Sequence, residues 1–107
     1  MDKTYEIAFK LILAAGDSKS ESMNAIRAAR EGNFEKAKSL CEVARVKLTD
    51  AHKIQTDLIQ AESRGEEFKL NLIMVHAQDH LSMALMNLDN AHEMTNLYKM
   101  IYELTKK

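Results

Sequence analysis

The chain has no proline, no tryptophan, three glycines and one cysteine in 107 residues. Without proline, nothing forces the backbone out of a helix along its whole length. A lone cysteine, Cys41, rules out an intrachain disulfide and every Cys-pair metal or redox motif. Charge of one sign is also lacking. Fifteen Lys and Arg stand against sixteen Asp and Glu, for a net charge of -1, and no basic cluster is longer than Lys106-Lys107. A nucleic-acid surface needs a basic stripe, so that function class is excluded. No apolar run approaches the roughly 20 residues of a transmembrane helix. The opening "MDKTYEIAFKLILAAG" carries Asp2, Lys3, Glu6 and Lys10 where a signal peptide would be apolar, so a cytoplasmic protein is expected.

What is present is helix-forming: Ala, Leu, Met, Lys and Glu dominate. The length suits one domain spanning residues 1–107, with self-association as a source of added stability. Gly32 followed by Asn33 reads as a helix stop and the next N-cap, and Gly65 before Glu66 and Glu67 repeats the signal. The expected helices cover about 3–31, 33–64 and 66–105. Short turns between three long helices predict an all-α antiparallel three-helix bundle. Gly16, inside the first helix, is expected to mark close backbone packing or a kink.

Each helix has an apolar seam. In the second it runs Phe34, Ala37, Cys41, Ala44, Leu48, Ala51, Gln55 and Leu58, in steps of three and four. Cys41 is thus expected in the core, as a small apolar side chain rather than a nucleophile. The first helix offers Tyr5, Ala8, Ile12, Ala15, Ser22, Ile26 and Ala29. The third carries two seams. One is Leu70, Met74, Ala77, Leu81, Ala84, Leu88, Ala91 and Tyr98. The other is Leu72, His76, Asp79, Met83, Met86, Asn90, Glu93, Leu97, Met100 and Leu104, centred about 130° around the helix from the first. A three-helix subunit has a single core, so the second seam calls for a second partner, and another copy of the chain is the expected one.

His76, Asp79 and His80 crowd into that helix at i,i+3 and i,i+4 spacing, on neighbouring turns of one face. Three chemistries suit them. Zinc uses His pairs at i,i+4, but His92 lies about 18 Å further along by the helical rise and His52 has no partner motif. Acid–base catalysis would use a carboxylate to orient an imidazole, yet no nucleophile motif accompanies it. A nucleophilic histidine accepting a phosphoryl group needs only exposure to a partner, since imidazole titrates near neutrality. The bland counterpart is a scaffold in which the polar trio only sets register and oligomer state.

The segments "HAQDHL" at 76–81, "AAGDSKS" at 14–20, "REGNFEKA" at 30–37 and "AHKIQTDLIQAESRGEE" at 51–67 resemble the enzyme IIA component of the lactose/cellobiose (chitobiose)-type phosphoenolpyruvate-dependent sugar phosphotransferase system. The resemblance spans essentially the whole chain, with Ala77 and Ser82-Met83 departing from the usual motif. It implies a homotrimer of three-helix subunits. It implies that His76 takes a phosphoryl group from the phosphohistidine of HPr and passes it to a cysteine of enzyme IIB, on its way to a sugar entering through the membrane component IIC. It also implies that Asp79 meets its symmetry mates around a magnesium ion. Gln78 and His80 are expected to orient the imidazole or contact the phosphate. No Lys or Arg lies within five residues of His76, so a partner is expected to supply part of the positive charge.

Overall fold

In the computed structural model, which describes residues 3–106, three helices follow one another: α1 (Lys3–Arg30), α2 (Phe34–Ser63) and α3 (Leu72–Thr105). Asp2 and Lys107, used above in the charge pattern, lie outside the described residues. The stops are where the glycines stand. Gly32 and Gly65 adopt φ of +84° and +96°, values that a side chain strains against. The Asn33 side chain then accepts from the Lys36 amide at 3.1 Å and starts α2.

The third helix begins later than the sequence suggests. Its N-cap is Asn71, whose side chain accepts from the Met74 amide at 3.1 Å, and Glu66 to Asn71 form a non-helical linker instead of a first turn. Tertiary contacts hold that linker out of helix. Phe68 is half-buried under the Lys3 ammonium, 5.7 Å from its ring centre. Glu66 pairs with Lys3 at 3.6 Å and Arg64 at 3.3 Å. Leu70, assigned above to the core seam, is 87% exposed in consequence.

Helix α1 packs along both α2 and α3, which touch each other less. The core is rich in alanine: Ala8 and Ala15 of α1, Ala44 and Ala51 of α2, and Ala77, Ala84 and Ala91 of α3 all belong to one buried cluster. Such small side chains let helix axes approach closely, and two polar clasps exploit the proximity. Ser18 Oγ donates to the Ala44 carbonyl at 2.8 Å, and Asn87 Nδ2 donates to the Lys19 carbonyl at 3.1 Å. The α2 seam and the first α3 seam are buried as read from Ala37 to Ala51 and from Met74 to Ala91. In α1 the buried line also takes in Leu11, Ser18 and Ala25, while Tyr5 turns outward. Gly16 has no heavy atom within 4 Å of the place a Cβ would occupy, so it is not a point of close packing within the subunit.

The result is a rod of 62 × 22 × 17 Å with a radius of gyration of 17.0 Å. A compact chain of this length would have about 13 Å. So thin a rod covers one face of each helix. The second seam of α3 is accordingly bare: Met86 is 66% exposed, Leu97 56% and Leu104 82%.

Candidate functional site

His76 stands on the second turn of α3, at the same end of the bundle as the start of α1. With Tyr5, Leu72 and Ile73 it lines an open hollow of about 420 Å³. Tyr5 was read from the sequence as a seam residue; it flanks the histidine instead. The imidazole is exposed, and one turn later the half-buried His80 meets it edge-on, with ring centres 4.5 Å apart and planes at 86°. Their Nε2 atoms are 3.1 Å apart. One of the two nitrogens must carry the proton and the other the lone pair.

The burial of His80 favours one of the two arrangements. Its Nδ1 is buried and has no partner among the described residues. An orphaned buried N–H is rarer than an under-used acceptor, so we assign the proton to His80 Nε2 and leave Nδ1 bare. His80 then donates to His76 Nε2. That bond goes with the His76 tautomer protonated at Nδ1, whose Nε2 lone pair is freed only when the His80 N–H turns away.

Gln78 and Asp79 do other things. Gln78 points about 200° around the helix from His76. Its Oε1 accepts from Gln55 Nε2 at 2.7 Å, and its own Nε2 lies 3.5 Å from the Met74 sulfur. It therefore clasps α2 to α3 and does not reach the imidazole within the subunit. The signal for Gln55 was visible as a polar side chain in an otherwise apolar seam. Asp79 is exposed on the bare stripe and makes no hydrogen bond or ion pair to another described residue. Among the described residues of one subunit, no group of three or more His, Cys, Asp or Glu is placed to hold a metal.

The other candidates stand apart. His92 lies on the α2 side, near Glu42. The Glu42 carboxyl is held below its ordinary range chiefly by the hydrogen bond from Arg45, against desolvation, with help from the charges of Arg45 and His92. Cys41 is buried in the core, as expected of a small apolar side chain, and burial pushes its thiol up from its ordinary range.

Residues 6–99 match the family described as the lactose/cellobiose-specific IIA subunit of the phosphotransferase system. The chain belongs to that enzyme IIA family. The lichenan-specific phosphotransferase enzyme IIA component of Bacillus subtilis (strain 168) is 44% identical over 98 residues, covering 92% of this chain and 89% of that one. The lactose-specific EIIA component of Staphylococcus epidermidis (strain ATCC 35984 / DSM 28319 / BCRC 17069 / CCUG 31568 / BM 3577 / RP62A) is 36% identical and covers 92% and 94%. Among solved structures, the cellobiose-specific enzyme IIA of Bacillus anthracis superposes with a TM-score of 0.94 at 36% identity, covering 96% of this chain and 94% of that one. The enzyme IIA for chitobiose, solved in complex with HPr, gives 0.82 at 28% identity, covering 94% and 98%. This enzyme IIA is thus a phosphotransferase component of a sugar-transport system, and its three-helix subunit is the fold of its relatives.

Proposed function

We propose that His76 is the phosphoryl acceptor of this enzyme IIA, and the observation carrying the reading is its exposed ring with Nε2 set 3.1 Å from His80 Nε2. The lone pair attacks the phosphorus of the phosphohistidine on HPr. A new N–P bond forms at His76 as the N–P bond of HPr breaks, its electron pair returning to the HPr imidazole. In the second step a cysteine thiolate of enzyme IIB attacks the same phosphorus, and the pair of the breaking bond returns to His76 Nε2. The destination is a sugar of the lactose/cellobiose/chitobiose class entering through IIC. Both steps depend on positioning and charge stabilisation more than on covalent help from the protein. As phosphate arrives, the His80 Nε2–H loses its nitrogen acceptor and turns to a phosphoryl oxygen. The partner supplies positive charge, because no Lys or Arg lies within five residues of His76.

The working unit in this reading is a cytoplasmic homotrimer built on the bare stripe of α3. Among the described residues, no helix is long and apolar enough to cross a membrane. Asp79 is an exposed carboxylate on that stripe with no hydrogen-bond or ion-pair partner among the described residues, and its oxygen ligands suit magnesium. Three copies of it, one from each subunit, would hold the ion, which relieves the repulsion of converging carboxylates.

The test is intact mass after incubation with phosphoenolpyruvate, enzyme I and HPr. The unmodified chain and His80→Gln are expected to gain one phosphoryl group and His76→Gln none, with helix content unchanged by circular dichroism. A phosphorylated His76→Gln, or an unmodified chain that gains nothing from active HPr, overturns the proposal.

A further inference from the structure

The hollow beside His76 is walled by residues of two kinds. Leu72 and Ile73 offer it hydrocarbon only. Tyr5 is the one lining residue besides His76 whose side chain carries a polar atom. It is 41% exposed, and its hydroxyl makes no hydrogen bond to another described residue. The lysines nearest Tyr5 in α1 turn the other way. Lys3 and Lys10 point about 160° and 140° around the helix from it. Both line a separate hollow between α1 and α2, where Lys3 pairs with Glu66 at 3.6 Å and lies over the Phe68 ring.

We propose that the Tyr5 hydroxyl donates a hydrogen bond to the phosphoryl group on His76, beside the His80 N–H, and so sets how firmly this chain holds its phosphate. The proposal rests on His76 being the acceptor and adds a residue that touches the transferred group.

A phosphoryl group on His76 brings acceptor oxygens and negative charge to the hollow. Leu72 and Ile73 have nothing to offer those oxygens. Once a partner covers the hollow, water leaves as well, and an oxygen without a donor is then costly. The His80 N–H serves one oxygen. The phenol O–H rotates about its C–O bond and turns to a second. Its proton stays on the phenol oxygen throughout, so no bond is made or broken at Tyr5. In a loose transition state the charge remains spread over the same peripheral oxygens. The hydroxyl therefore binds the group about equally before and during its departure, and such uniform binding leaves the departure rate unchanged. It acts on arrival, where the bond is gained. Tyr5 thus makes the chain a stronger competitor for phosphate without making it a faster donor.

The experiment uses Tyr5→Phe, which keeps the ring as a wall of the hollow and removes only the hydroxyl. The unmodified chain and the variant are mixed in one tube with enzyme I, HPr and limiting phosphoenolpyruvate until the phosphoryl group has equilibrated. Their masses differ by one oxygen, so intact mass reads both together. The ratio of phosphorylated to free chain is expected to be about tenfold lower for Tyr5→Phe, the low end for a hydrogen bond to an ionised acceptor, as suits a half-exposed hydroxyl. Single-turnover transfer from phosphorylated HPr is expected to slow by the same factor, and return of the group to unphosphorylated HPr to keep its rate. A ratio within twofold of that of the unmodified chain, or an equal loss of rate in both directions, overturns the role of the Tyr5 hydroxyl alone. An unmodified chain that gains nothing from active HPr, or a phosphorylated His76→Gln, overturns the acceptor reading and this inference together.

Discussion

Replacing His80 by Ala removes a single N–H, and its consequence depends on where that N–H points at the moment of transfer. In the free subunit it lies on His76 Nε2 at 3.1 Å. A neutral hydrogen bond of this kind contributes about 0.5–1.5 kcal/mol net, but it is made on the lone pair that attacks and is lost in the transition state, so if His80 does nothing more, its removal does not slow transfer. If the N–H follows the charge onto a phosphoryl oxygen, the bond is to an ionised acceptor, contributes about 1.5–3 kcal/mol, and its loss slows transfer by roughly 10- to 150-fold. The second range is expected, because the His76 lone pair is consumed in the new bond and leaves His80 without its acceptor. Single-turnover transfer from phosphorylated HPr, followed by quenched-flow mass measurement, separates the two. His80→Gln, which keeps an amide N–H near the same place, is expected to recover part of the rate. A His80→Ala rate within twofold of the unmodified protein would refute the reasoning.

Other outcomes follow from the same structure. In the proposed trimer, Asp79→Leu is expected to leave assembly intact and to remove any dependence on divalent metal, because apolar side chains in place of a charged cluster are often neutral or stabilising; a monomer in sedimentation where the unmodified chain assembles contradicts this. Leu11 is 0% exposed, so Leu11→Ala is expected to cost about 3 kcal/mol and to lower Tm by roughly 12–15 °C at equal protein concentration, read by calorimetry. Burial raises the Cys41 thiol in the folded chain, so the unfolded chain deprotonates first as pH rises. Stability from this group is complete below the unfolded value of about 8.5 and declines above it, and the urea midpoint is expected to fall less between pH 7 and 9.5 in Cys41→Ala than in the unmodified protein.

The three helices were legible from local pattern. Helical periodicity reports which residues share a face, and the turn chemistry of Gly32, Asn33 and Gly65 acts within a few residues of itself, so both are written in order along the chain. The α2 seam around Cys41 and the doubled seam of α3 came through for that reason, as did the i,i+4 placement of His76 and His80. The delayed start of α3 did not. Glu66 and Glu67 look like a favourable first turn, but Lys3 and Arg64 draw Glu66 across the bundle end, and those partners are distant in sequence or set by the turn. Leu70 left the core with that shift. Gln78 looks like a neighbour of His76 on paper and belongs to Gln55 in space. The sequence by itself determined the helices, their faces and the residues that mark the family. The tertiary structure decided that Tyr5 flanks His76, that His80 Nδ1 is buried and that Gln78 bonds to Gln55, because burial and long-range hydrogen bonds exist only once three helices have packed together.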